Sequence, residues 1–151
     1  MKYLGDYTTR GQLDDSSSTS FVIPLFQGDY SIGYRVKSFF VSYADRDETA
    51  TQVIHSMIAT EAISDIKTWD WSDNRQVAWN RTTEDGNATI VSSPPFVAID
   101  PENLIVEDAH IGCYIYGGSG SQIVNYMITF EKYQLEPFQG LGAIVNNMSQ
   151  G

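Results

Sequence analysis

The sequence predicts an all-β, antiparallel domain of about eight strands, arranged as a sandwich or a barrel. Three observations lead there. The clearest segments alternate apolar and polar side chains with a period of two. Turn clusters rich in Gly, Asp, Asn, Ser and Pro interrupt them about every 8–12 residues. The composition, 42% hydrophobic and 13% aromatic, is that of a chain that buries a core. At 151 residues, one domain can do so without disulfides or metals.

Taken in order, residues 1–19 end in the polar run Asp14, Asp15, Ser16, Ser17, Ser18 and Thr19, too poor in apolar groups to pack. They read as an arm that is mobile in the free subunit and anchored on a neighbour by Tyr3, Leu4 and Tyr7; a disordered terminus without a role is the alternative. The sandwich is expected over 20–135. Phe21–Phe26 is a short apolar strand that Pro24 places at a sheet edge or strand end. Tyr34–Tyr43 alternates Arg35, Lys37, Phe39, Val41 and Tyr43 against Tyr34, Val36, Ser38, Phe40 and Ser42. Aromatics on both faces predict a central strand with a layer on each side. Gln52–Thr60 resumes the period of two, and its β-branched residues disfavour the competing helix. Gln76–Trp79 and Ala88–Val91 flank the turn Glu84-Asp85-Gly86-Asn87. Phe96–Ile99, Leu104–Val106, Ala109–Tyr116 and Gln122–Tyr133 complete the set. The tail 136–151 carries Phe138, Leu141, Ile144 and Val145, which are expected to pack on their own sandwich or on a neighbouring subunit.

Nine Lys and Arg oppose nineteen Asp and Glu, a net charge of −10. Such a surface repels phosphate backbones, so binding of nucleic acid through a basic arm is not expected. Divalent cations and basic partner proteins suit it better. The N-terminus has no apolar run of the signal-peptide kind, and no stretch approaches the ~20 apolar residues that span a bilayer. A soluble product made in the cytoplasm is expected. The three Asn-X-Ser/Thr tripeptides at Asn80, Asn87 and Asn147 then read as chance matches.

Reactive groups are scarce. His110 and Cys113, three apart in one strand, leave from opposite faces. A nucleophilic pair would need a distant partner such as His55, and a buried cysteine is the plainer reading. His55, His110 and Cys113 fall short of the four ligands of a structural zinc site. Gly117-Gly118-Ser119-Gly120 lacks the Lys-Ser/Thr of a phosphate loop and reads as a hairpin turn. No catalytic residue and no enzymatic activity are expected. Among the loop carboxylates, Asp45, Asp47, Glu48, Asp100 and Glu102 are candidate Ca²⁺ ligands bridging subunits. Ordinary solvated carboxylates and a glycosidase-type acid pair are the competing readings. Trp69, Trp71 and Trp79 are either a platform for sugar rings or core and interface anchors.

Three stretches and the chain end carry a resemblance: Asp70-Trp71-Ser72-Asp73-Asn74-Arg75-Gln76-Val77-Ala78-Trp79, Ile99-Asp100-Pro101-Glu102-Asn103-Leu104-Ile105-Val106-Glu107-Asp108, Asn125-Tyr126-Met127-Ile128 with Glu131-Lys132-Tyr133, and Asn146-Asn147-Met148-Ser149-Gln150. Over most of residues 30–150 the sequence resembles small jelly-roll capsid proteins of environmental, aquatic icosahedral viruses. The resemblance implies an antiparallel eight-stranded β-sandwich of single jelly-roll type. It implies a self-assembling coat subunit resident in the virion, whose partners are copies of itself and other capsid proteins. Its acidic arm departs from the basic arm of many small RNA-virus coats, so genome condensation falls to another basic protein or to cations, or the chain is a minor capsid component. The competing expectations are a carbohydrate-binding β-sandwich, as a receptor-binding or matrix module, and an extracellular fibre subunit.

Overall fold

A computed structural model describes residues 1–44, 52–84, 94–117, 122–136 and 139–148. Among these residues eight strands and one helix follow in order: β1 Lys2–Asp14, β2 Phe21–Ile23, β3 Ile32–Tyr43, β4 Gln52–Ala59, β5 Gln76–Glu84, β6 Phe96–Ile99, β7 Ala109–Tyr116, β8 Ile123–Gln134 and α1 Gln139–Met148. Every strand pair is antiparallel, in a sheet of order β1-β8-β3 facing one of order β2-β7-β4-β5-β6. The pairs β1·β8, β2·β7 and β4·β5 nest within one another. The fourth nested pair, β3 with the chain around β6, is split. β6 itself bonds to β5. Beyond it, Ile105 bridges to Tyr34 through two backbone bonds of 2.7 and 2.8 Å. The fold is a single jelly roll whose sixth strand belongs to the larger sheet, with Ile105 beyond it supplying the bridge to β3.

The core lies between the sheets, with Phe39, Phe130, Ile54, Ile58, Ile111, Ile128 and Val124 sealed from solvent. Its faces follow the expected alternation in β4, β7 and β8 but not in β3. There a bulge between Val36 and Ser38, opposite Phe130 and Thr129, breaks the period. The inward set becomes Tyr34, Val36, Phe39, Val41 and Tyr43. Phe40 is left 55% exposed. β3 is accordingly not a strand sandwiched between two layers; it flanks its sheet and shows its second face to solvent. Across the core, Asn80 is fully buried and donates from Nδ2 to the Phe39 carbonyl at 2.9 Å, while its Oδ1 accepts from Thr82 at 2.7 Å. One side chain thereby ties the two sheets together with both polar ends satisfied.

The stretch 1–19 is not a mobile arm. Residues 2–14 form β1, paired with β8 along its whole length. An edge strand needs few apolar side chains because backbone bonds hold it, and only Leu13 of β1 is buried. The polar run that follows carries the chain from one sheet to the other. Asp15 donates its amide to the Gln122 carbonyl at 2.9 Å and accepts the Gln122 amide on Oδ1 at 2.8 Å. Ser16 donates to the Cys113 carbonyl at 2.8 Å.

At the other end, α1 turns Gly140, Ile144 and Asn147 towards its own domain. A Cβ at Gly140 would collide with the Tyr30 carbonyl, so the helix lies close on that turn. Leu141 and Val145 point outwards, 50% and 67% exposed. The expected segment 104–106 contributes only the Ile105 bridge, and the apolar run 21–26 is a strand only to Ile23. The expected strand Ala88–Val91, the turn 85–87 and the glycine run 118–120 lie outside the described residues. No described helix is long and apolar enough to cross a membrane.

Candidate functional site

The outer face of the larger sheet carries one row of side chains across four strands. Tyr114 of β7 sits opposite His55 of β4, His55 opposite Arg81 of β5, and Arg81 opposite Phe96 of β6. The next row runs Gly112, Met57, Trp79, Ala98. The β4–β5 connection, residues 60–75, folds back over these rows. It is held by the Ile66 amide to the Ser17 carbonyl at 3.0 Å, the Ile63 amide to Ser20 Oγ at 2.9 Å and the Thr60 amide to the Arg75 carbonyl at 2.8 Å. Ile66 is completely buried, facing Gly112, and Met57 on the outer face of β4 is equally sealed.

This connection delivers two tryptophans onto the sheet. Trp69 stacks on His55, centroids 4.2 Å apart, and on Phe96 at 5.9 Å, with the Arg81 guanidinium 4.8 Å from its ring. Trp71 lies 6.4 Å from Phe96, the rings within 8° of parallel, and 5.7 Å from Trp79. Of the three tryptophans expected as a platform, Trp71 meets Trp79, and Trp69 joins them only through Phe96. Trp71 is the solvent-facing one, 63% exposed, whereas Trp79 is buried and donates Nε1–H to Gln76 Oε1 at 3.0 Å. Phe96, His55 and Arg81 belong to the same cluster, and no local sequence signal marks them, because only inter-strand register brings them together.

The same connection bounds a cleft of about 270 Å³ with Glu61, Asp65, Asp70, Asp73 and Arg75 on its walls. Its carboxylates serve local structure. Asp73 accepts from Arg75 Nε at 2.8 Å and Nη2 at 2.7 Å, which holds its carboxyl below the usual range. Asp70 accepts from the Ser72 amide and hydroxyl.

The remaining candidates lie apart. Asp100 accepts the Glu102 amide at 3.0 Å in a turn. Asp45, Asp47, Glu48 and Phe138 lie outside the described residues. Among the described residues no three His, Cys, Asp or Glu converge to hold a metal ion. Cys113 is in the core, where burial pushes its thiol up to about 12. His55 is on the opposite face of the same sheet, so the two do not meet. Tyr3 donates to Asp6 at 2.7 Å and packs on Tyr133, Leu4 sits exposed at the β1 bulge, and Tyr7 stacks on Phe130.

His55 Nε2 is buried without a hydrogen bond among the described residues. Burial first, then the charge of Arg81, pushes its pKa down from 6.5 to about 4. Between those values the unfolded chain binds a proton that the folded chain refuses. Stability is therefore full above the ordinary histidine pKa and falls as pH drops towards 4. The expected loss between pH 7 and pH 4.5 is about 2 kcal/mol, allowing for solvent screening at a group that is not wholly enclosed. Urea titrations at the two pH values measure it, and His55→Gln should remove most of the difference. Burial also lowers His110, with the same sign. Asp6, Asp29 and Asp73 are lowered from 3.8, so their losses come at lower pH.

No family model, no curated protein and no solved structure matches the chain.

Proposed function

We propose that this protein is a structural subunit that assembles with copies of itself, a jelly-roll capsid protein of a closed icosahedral shell. One observation carries the reading: large apolar side chains are exposed on four separate sides of one domain. Phe40 and Met127 are on the open face of the smaller sheet, and Phe21 and Val22 are on edge strand β2. Trp71, Phe96 and Val97 flank edge strand β6, and Leu141 and Val145 project from α1. A protein that binds one ligand needs one such surface. A subunit of a closed shell needs several, because each rotation axis brings a different pair of surfaces together. The jelly-roll fold and the sequence resemblance to aquatic viral coats support the same reading, as analogy. In it the protein is not an enzyme, it resides in the virion, and its partners are copies of itself and other capsid proteins. A net charge of −10 leaves the genome to a basic partner or to cations. Contacts are made by sheet faces, edges and the outer side of α1, not by exchange of β1 or α1, both of which pack on their own subunit.

Light scattering on the size-exclusion peak tests this. Assemblies far above 16.9 kDa, closed in negative-stain images, are expected. Measurement with and without Ca²⁺ tests whether the carboxylate loops bridge subunits. A monomer over a wide concentration range in both conditions overturns the reading, and filaments replace it with a fibre subunit.

A second reading has an observation of its own. Trp71 is open, nearly parallel to Phe96, and directly follows Asp70 of the cleft wall, an arrangement suited to a sugar ring stacked on the indole and hydrogen-bonded by the neighbouring polar groups. Glycan-array binding by a monomer, lost in Trp71→Ala, would favour it over assembly.

A further inference from the structure

β1 is an open edge of unusual length. It has thirteen residues, β8 occupies one flank, and no strand lies on the other among the described residues. Natural proteins defend such edges with proline, with like charges or by covering them. β1 contains no proline, and its charged residues alternate in sign: Lys2, Asp6, Arg10, Asp14. That order is self-complementary when the strand is reversed against itself. We infer that β1 pairs antiparallel with β1 of a second copy, about a two-fold axis at Thr8.

In that register residue i faces residue 16 − i of the partner, so Asp6 meets Arg10 of the other copy twice. Both side chains are on the same face. Asp6, Thr8 and Arg10 sit opposite Glu131, Thr129 and Met127, all on the outer side of β8. Asp6 already accepts from Lys37 at 2.8 Å and lies across from Glu131, so its surroundings can take another cation. Arg10 has no ion-pair partner among the described residues, and it borders the groove lined by Phe40 and Met127. Lys2 is offset by the bulge between Tyr3 and Gly5 and is not counted. The other flank of the sheet is less available, because Ile105 bridges to Tyr34 of β3. The product is a continuous sheet β3-β8-β1-β1-β8-β3 that doubles the outward apolar row.

The inference rests on the proposal that the chain associates with itself, and it names one contact. Thr8→Cys tests it, since residues facing each other across an antiparallel pair have Cα atoms roughly 4.5–5.5 Å apart, within disulfide reach. Cys113 is buried and does not compete. Mild oxidation is expected to convert most of the Thr8→Cys protein to a disulfide dimer, with little dimer from the exposed control Thr19→Cys. Asp6→Arg should weaken association at least tenfold, and Asp6→Arg with Arg10→Asp should restore it. Circular dichroism verifies that each variant is folded. Light scattering that shows assembly without Thr8→Cys dimers, or without rescue by the double reversal, overturns the β1 contact and leaves assembly standing. A monomer that forms no dimers overturns both.

Discussion

Phe130→Ala should lower the free energy of unfolding by about 4 kcal/mol, a large part of the roughly 5–15 kcal/mol that stabilises a domain. Phe130 is fully buried on β8, the central strand of the smaller sheet. Its ring meets Tyr34 of β3 edge-on at 6.0 Å and stacks with Tyr7 of β1 at 6.4 Å. One truncation therefore removes packing from both neighbouring strands, and the void is bordered by tyrosines fixed in their own ladders. Phe40→Ala is the control. Its ring is 55% exposed on the outer face, so a monomer should lose no more than about 0.5 kcal/mol. Urea denaturation with an unchanged slope measures both. Similar small losses at the two sites would show that the inward and outward assignments of β3 and β8 are wrong.

Strands with an apolar run or an alternating face are legible in the sequence, the edge strands β2 and β6 among them, and β1 is not. Ala109–Tyr116 was marked to the residue, because Ala109, Ile111, Cys113 and Ile115 alternate without a break and all pack inwards. β3 was found but its faces were misassigned, since one bulge at Lys37 reverses the alternation and leaves no trace in composition. β1 reads as a loose arm for a physical reason. Between solvent on one face, a core that it touches through Tyr7 and Leu13, and a ladder that any backbone can make, its side chains show little pattern.

The candidate site divides the same way. Three tryptophans close in sequence stand out by themselves. His55, Arg81 and Phe96 join them only through the register of β4, β5 and β6, a long-range property that periodicity does not report. Ile66, buried in the connection between β4 and β5, lies where no period of two or of 3.6 marks an inward face. Its partner is a single glycine 46 positions away, Gly112.

That glycine is the point at which fold and site depend on each other. A Cβ built on Gly112 would lie 2.6 Å from Ile66 Cγ1 and 2.8 Å from Cδ1, nearer than carbon atoms approach without displacement. Gly112→Ala must therefore push Ile66 off the sheet, at an expected cost of about 2 kcal/mol, and Gly112→Val about 3 kcal/mol. Ile66→Ala leaves a cavity in the same place and should cost about 4 kcal/mol. In the double variant Ile66→Ala with Gly112→Ala, the new methyl occupies space that the isoleucine vacated. The combined loss should then be near 4 kcal/mol rather than the sum, a coupling of about 2 kcal/mol. Tryptophan emission supplies a second readout, because Trp69 and Trp71 lie on the connection that Ile66 anchors. Gly112→Val should shift it towards the red in protein that is still folded by far-UV circular dichroism. Additive losses with unshifted emission would mean that residues 60–75 do not lie on the sheet, and the aromatic cluster would lose its physical basis.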